Sequence, residues 1–218
     1  MRQSSIWRAK IAAQLIQPHL AAPAPLDRAC VPHDTVALAR FLLGKVLVRT
    51  RGTTISTGRI VETEAYLVGD PACHAFRGMT ERNRSLYLDV GHAYVYLCYG
   101  TAWMLNVSSE HAGIGAGVLI RAVEPLAGMD CMRRGRTHVR IRDLARGPGR
   151  LAAAFDIDRR QDGIDLLRPG ELWIGSDGTK VGAIGESVRI GLNKAQDARL
   201  RYYVAGSGFL SGTRSLNI

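Results

Sequence analysis

The stretch Thr54 to Tyr66 constrains the fold most. It is rich in Val, Ile and Thr, it follows a second such run at Lys45 to Thr50, and only Arg51-Gly52-Thr53 separates them. β-Branched residues favour the pleated conformation, and so short a connection forces two strands to pair antiparallel as a hairpin. Side chains two residues apart on a strand share a face, so Glu62, Glu64 and Tyr66 are expected to project together. A chain that places two carboxylates and a phenol on one sheet surface either exposes them to water or uses them.

The rest of the chain continues the β pattern. Ala93 to Tyr99 and Trp103 to Ser108 read as strands joined around Gly100, and Gly117 to Glu124 reads as a largely buried strand. Shorter strands are expected at Glu171 to Ile174, Ser187 to Gly191 and Arg201 to Val204. Helices are expected at Val36 to Leu43, with Asp34 as cap and Gly44 as terminator, at Pro125 to Arg134, and from Pro148, where proline suits a first turn. The fold class expected is α+β: a single mixed domain with a curved, mostly antiparallel sheet, flanking helices and a protruding β-hairpin. Residues 1–33 read as a loosely ordered basic lead-in, with a short helix around Ile6 to Ile16, and residues 34–218 as the functional domain.

Composition narrows the partner. Lys plus Arg total 29 against 19 Asp plus Glu, a formal charge of +10. That excess favours a polyanion, with nucleic acid the leading candidate. Cys30, Cys73, Cys98 and Cys131 show neither zinc-site spacing nor a disulfide framework, which fits a reduced, intracellular and cytoplasmic protein. The apolar run Ile11 to Ile16 is short and interrupted by Gln14, so no membrane association is expected. No disulfide or metal is needed to hold a core of this size.

Several side chains stand out. Tyr94 and Tyr96 share one strand face, while Tyr99 falls on the opposite parity beside Gly100 and is expected to point outward. Arg121 sits in an otherwise apolar strand, where an unpaired charge would be costly, so a partner such as Glu64 is expected. Glu62 is expected to pair with a basic residue. His74 lies in the polar loop Val68 to Asn83. Arg146 and Arg150 flank Gly147-Pro148-Gly149 at a helix start, where free amides and guanidinium groups suit a phosphate. Arg82, Arg84, Arg133, Arg134, Arg136 and Arg140 supply general attraction, and Trp103 is read as a packing anchor.

Six motifs in order carry a family resemblance. Gly-Arg-Ile-Val-Glu-Thr-Glu-Ala-Tyr ending at Tyr66, Thr80-Glu81-Arg82-Asn83-Arg84, Tyr94 to Gly100, Leu105-Asn106-Val107-Ser108, Leu119 to Pro125 and Gly147 to Leu151 make the chain, from roughly Ala37 to Ser211, resemble the alkyladenine (3-methyladenine) DNA glycosylases. The resemblance implies a single mixed α/β domain, residues 34–218, that releases alkylated or deaminated purines from double-stranded DNA as a monomer. It implies a monofunctional enzyme that needs no metal or cofactor and leaves an abasic site.

It also implies roles. Glu64 deprotonates the attacking water, which Arg121 and the backbone carbonyl of Ile190 help to hold. Tyr66 and Tyr96 stack on the extruded base, His74 bonds to its edge or its sugar phosphate, and backbone atoms near Ala72 add a polar contact. Asn106 crowds the exocyclic amine of guanine. Tyr99 is the wedge that enters the minor groove; on their own chemistry Gly100, Thr101, Arg146, Gly147, Gly149 and Arg150 are expected to bind the flanking phosphates. Two other readings remain open: a protein that flips lesions without cutting them, and a hydrolase or transferase acting on RNA or nucleosides.

Overall fold

Strand-forming runs separated by turns assemble into one antiparallel sheet. The computed structural model describes residues 22–217. Its strands are β1 (Ala24–Pro25), β2 (Val46–Arg51), β3 (Thr54–Tyr66), β4 (Ala93–Cys98), β5 (Ala102–Ser108), β6 (Gly117–Ala127), β7 (Leu172–Ser176), β8 (Ile184–Ser187) and β9 (Arg201–Val204). They run in the order β1-β7-β2-β3-β6-β5-β4, with β9 beside β3 and β8 beyond it. Every strand pair described is antiparallel. The helices are α1 (Thr35–Leu42), α2 (Met129–Arg133) and α3 (Pro148–Phe155), which makes the single domain mixed α+β.

β3 is the axis of this arrangement, and its pairing changes halfway along. Residues 54–59 pair with β2, residues 62–64 pair with β9, and β6 follows the opposite edge from Thr57 to Tyr66. At the changeover the register against β6 slips on both sides of Glu62. Such bulges bend a strand and re-aim its side chains. The glutamates that attract attention in the sequence therefore sit where the sheet is irregular.

α1 begins as expected, with the Asp34 carboxylate accepting from the Ala37 amide at 2.7 Å, and buries Leu38, Ala39 and Leu42 against the sheet. Gly44, with φ of +83°, follows the helix end and turns the chain into β2. α3 starts at Pro148 and packs Leu151 and Phe155 into the same core as Ile60, Leu105 and Ile120.

Two expectations need correction. Pro125 does not open a helix: β6 runs on through it to Ala127, and only Met129–Arg133 is helical. Pro125 lies opposite Gly58, beside a register shift at Thr57/Gly58, where a missing N–H is tolerated. The strand expected at Ser187 to Gly191 instead ends at Ser187, and Arg189 and Ile190 leave the sheet to meet other partners described below. The helix expected at Ile6 to Ile16 lies outside the described residues. From residue 22 the lead-in runs along the fold: Ala24–Pro25 pair with Gly175 and Ser176, Arg28 bonds Asp165 at 2.7 Å, and Val31 is buried. Among the described residues no helix is long and apolar enough to cross a membrane.

Candidate active site

Alternation along β3 points Glu62 and Glu64 into one buried charge network. Both are fully buried, and a buried carboxylate is tolerable only when its lone pairs are filled. Glu62 Oε1 accepts from Arg121 Nε at 2.9 Å, Arg201 Nε at 2.7 Å and Ser211 Oγ at 2.7 Å, and its Oε2 accepts from the Ser211 amide at 2.6 Å. Burial alone would raise this carboxyl. The guanidinium groups of Arg201 and Arg121, with the Ser211 amide, outweigh it and hold the group below the usual carboxylate range. Glu62 is therefore a fixed anion with no spare proton.

Glu64 is held differently. Its Oε2 accepts from Tyr66 Oη at 2.9 Å and Arg121 Nη1 at 3.1 Å, and its Oε1 accepts from the Ile190 amide at 2.7 Å. The pairing of Arg121 with Glu64 expected from the sequence is thus present. The contact Ile190 makes with Glu64 is through its amide. Each carboxylate oxygen has two acceptor positions, so Oε1 keeps one for a further donor such as water. Between two carboxylates, Arg121 is locked as a cation: burial opposes its charge, but Glu64 and Glu62 more than restore it.

Tyr66, whose hydroxyl donates to Glu64, is also a wall of a cleft lined by Ala72, Cys73, His74, Leu86, Tyr94, Tyr96, Asn106, Gly117 and Leu192. All five residues singled out for contact with a base line this one cavity. The rings of Tyr94 and Tyr96 stack at 5.4 Å between centroids and 27° between planes. His74 meets Tyr96 edge-on at 4.4 Å, and its Nδ1 lies 2.9 Å from Tyr94 Oη. Asn106 is buried and donates from Nδ2 to the Tyr94 carbonyl at 3.2 Å.

The cleft holds no group that is acidic near neutrality. Burial and the Glu64 carboxylate push the Tyr66 phenol up, and burial pushes Tyr94 up and Tyr96 to about 12. Burial, with help from Arg82, lowers His74, so its imidazole is neutral at pH 7.

Two residues that sequence reasoning missed orient the cleft. Arg189 forms a buried ion pair with Asp70, donates from Nη1 to the Ala65 carbonyl at 2.9 Å and lies 4.7 Å from the centre of the Tyr66 ring. Asp70 in turn accepts from the Ala72 amide at 2.9 Å. The pair thereby ties Tyr66 and the loop after β3 to the segment that carries Ile190. A polar side chain in Gly69-Asp70-Pro71 carries no local signal of a partner 119 positions away. Asp70→Asn is expected to loosen this loop while leaving the sheet intact. A lost charged hydrogen bond of about 1.5–3 kcal/mol should raise amide exchange at Ala72 and Cys73 by roughly ten- to a hundredfold in hydrogen–deuterium exchange.

Beyond the cleft, the β4–β5 hairpin carries Tyr99 at its tip, 89% exposed. Tyr99 and Gly100 have φ of +48° and +70°, and the Thr101 amide closes the turn on the Cys98 carbonyl at 3.0 Å. Left-handed backbone costs a non-glycine residue about 1–2 kcal/mol, and an exposed aromatic gains nothing from burial in return. The start of α3 lies against the tip end of this hairpin, where a Cβ on Gly149 would come within 2.9 Å of Ala102 Cβ. Gly147, Gly149 and Arg150 are thereby brought to the hairpin's side. Arg146 directs Nε to the Leu210 carbonyl at 2.5 Å and Nη1 towards Asp143, so part of its guanidinium braces the C-terminal segment.

Comparison with known proteins gives a consistent result. Residues 29–208 match the family described as methylpurine-DNA glycosylase. A protein of Mesorhizobium japonicum named "Putative 3-methyladenine DNA glycosylase" is 62% identical over 192 residues, covering 88% of this chain and 92% of the relative. Proteins of the same name from Paraburkholderia phytofirmans and Koribacter versatilis are 48% identical over 192 residues and 46% identical over 202 residues. They cover 88% and 90% of this chain, and 90% and 98% of their own lengths.

Proposed function

The chain belongs to the methylpurine-DNA glycosylase family, and from that premise we propose that it is a monofunctional 3-methyladenine DNA glycosylase. In this reading it flips a damaged purine out of duplex DNA and hydrolyses its bond to the sugar with water activated by Glu64. The observation that carries the reading is the Glu64 carboxylate, fixed by Arg121, the Ile190 amide and Tyr66, the last of which lines an aromatic cleft. The protein acts as a monomer.

The purine's glycosidic bond is hidden within a duplex, so the nucleotide must first leave the stack at a cost of a few kcal/mol. Tyr99 fills the gap it leaves, and Tyr66, Tyr96 and His74 receive the base, each stacked ring offsetting about 1–3 kcal/mol. Asn106 sits where an exocyclic amine on guanine would crowd it. Gly100 and Thr101 on the hairpin, and Gly147, Gly149, Arg146 and Arg150 at the start of α3, hold the flanking phosphates through amides and guanidinium groups. Ala72 adds a backbone contact to the base.

Glu64 Oε1 then takes a proton from a water whose oxygen bonds to C1′ as the C1′–N bond breaks and its electron pair goes to the purine. The same carboxylate stabilises the positive charge that develops on the sugar. Arg121 and the backbone at Ile190 hold Glu64 in place for this step. Glu62 cannot act as a second acid, because all its neighbours donate to it. A cationic base such as 3-methyladenine leaves without protonation, so a cleft with no acid near neutrality suits alkylated purines, and hypoxanthine is expected to leave more slowly.

A base-release assay tests this reading with one damaged purine placed in duplex DNA, in RNA or in a free nucleoside. Release from duplex DNA with an abasic product supports it. Faster turnover of RNA or the nucleoside, or binding without release, would overturn it in favour of the two other readings. Tyr99→Ser should leave the melting temperature unchanged, because the side chain is exposed. Losing one stacking contact of about 1–3 kcal/mol should weaken lesion binding roughly five- to 150-fold, as measured by fluorescence anisotropy.

A further inference from the structure

Away from the cleft, three segments bring metal-ligating atoms together. His33 precedes α1, Asp89 lies just before β4, and His111 stands in the connection between β5 and β6. One ligand atom from each lies within 4.8 Å of the other two. We propose that His33, Asp89 and His111 form a binding site for one borderline divalent transition-metal ion, of which zinc(II) is the best match.

The gap between His33 and Asp89 suits an ion better than it suits a hydrogen bond. His33 Nδ1 is buried and has no hydrogen-bond partner, and it lies 3.9 Å from Asp89 Oδ1. That is too long for a hydrogen bond. Zinc binds imidazole nitrogen and carboxylate oxygen at about 2.0–2.2 Å each in a tetrahedral arrangement, so two such ligands on one ion stand about 3.4 Å apart, close to the separation of His33 and Asp89. A small side-chain rotation would close the gap on an ion and satisfy the orphaned nitrogen. The His111 ring is stacked on His33 at 4.1 Å between centroids and 28° between planes. It is exposed and on a loop, so it can swing in as the third ligand and leave the fourth position to water.

The surroundings are built to hold these positions. The Asp89 carbonyl accepts from Ser108 Oγ at 2.7 Å and lies 2.7 Å from His92 Nδ1. The Glu110 amide bonds the His33 carbonyl at 2.9 Å, and Thr35 Oγ1 donates to Glu110 Oε1 at 2.6 Å. Ligands on a pinned scaffold bind with less ordering cost. Among the described residues Arg28 is the cation paired with Asp89, with Nη1 3.7 Å from Asp89 Oδ2. It is engaged with the Val90 carbonyl and Asp165, and it faces the oxygen that His33 does not. Two imidazoles and one carboxylate suit zinc and its neighbours rather than magnesium or calcium.

The site would join the segment entering α1 to the loop of residues 109–116. The far end of that loop packs on the cleft's flank, where a Cβ on Gly115 would meet Tyr87 Cζ at 2.4 Å and Ala75 Cβ at 2.6 Å, one residue from His74.

Isothermal titration of the chelator-treated full chain with zinc chloride tests the proposal. The expected result is one equivalent bound, with at least about tenfold weaker binding in His111→Ala and Asp89→Asn. At a hundredfold excess over Kd the wild-type melting temperature should rise by about 5–10 °C. His111→Ala is exposed and reports without disturbing the fold. Absence of binding, or unchanged affinity and stoichiometry in both variants because zinc goes to thiols such as Cys30 or Cys131, would overturn the site.

Discussion

Glu64→Gln is expected to lower the rate of base release by about 10²–10⁴-fold, the span typical of losing a positioned general base. The substitution keeps the shape of the side chain and one oxygen to accept the Ile190 amide. It removes the charge that would take a proton from water and steady the sugar cation. Arg121 does not become an unpaired buried charge, because Glu62 Oε1 still accepts its Nε at 2.9 Å. The variant should therefore fold, with a stability loss of about 1–3 kcal/mol from a strained contact with Tyr66 Oη or Arg121. Single-turnover release of a damaged purine and thermal unfolding, measured on one preparation, check both halves.

Glu62→Ala is expected to act in the opposite way, on the fold. Removing one carboxylate strips the shared counter-ion from Arg121 and Arg201, both buried, and leaves the Ser211 amide and hydroxyl short of an acceptor. Breaking a buried pair from one side costs about 3–5 kcal/mol. For a chain of this size that corresponds to a melting temperature lower by roughly 6–20 °C.

The same network makes a pH signature. The folded-state pKa of Glu62 lies below its ordinary value of 4.5, so the unfolded chain binds the proton first as pH falls. The stability it contributes is complete above about pH 4.5 and is lost as pH drops through the lower, folded value. Denaturant midpoints measured from pH 6 down to 3 should fall in the wild type, with the Glu62 share of that fall missing from Glu62→Gln.

Much of this was legible in the chain because the informative signals are local. Parity along one strand placed Glu62, Glu64 and Tyr66 on a common face, and parity again separated Tyr99 from Tyr94 and Tyr96. Asp34 four residues before Leu38 marked the start of α1, and a lone Arg121 in an apolar run demanded an acid nearby. The motifs that resemble alkyladenine DNA glycosylases then assigned roles that spacing alone could not.

What stayed hidden is the convergence of distant segments. Arg189, Arg201 and Ser211 reach Glu62, Tyr66 and Asp70 across more than a hundred positions, through pairings that no periodicity encodes. The exit of β8 from the sheet at Ser187 has the same origin. Residues 188–191 contain Val and Ile and read as strand, yet the tertiary contacts of Arg189 with Asp70 and of the Ile190 amide with Glu64 take that backbone elsewhere. Pro125 misled for a related reason: a breaker in isolation is harmless where the ladder already slips.

The role given to Glu64 is tested most directly by following flipping and cleavage separately in one sample. A fluorescent base analogue beside a single damaged purine reports extrusion by stopped flow, and quenched aliquots report the released base. Glu64→Gln should show extrusion of wild-type amplitude with cleavage slowed by at least about a hundredfold. Cleavage at the wild-type rate in that variant would contradict the assignment of the carboxylate to water activation.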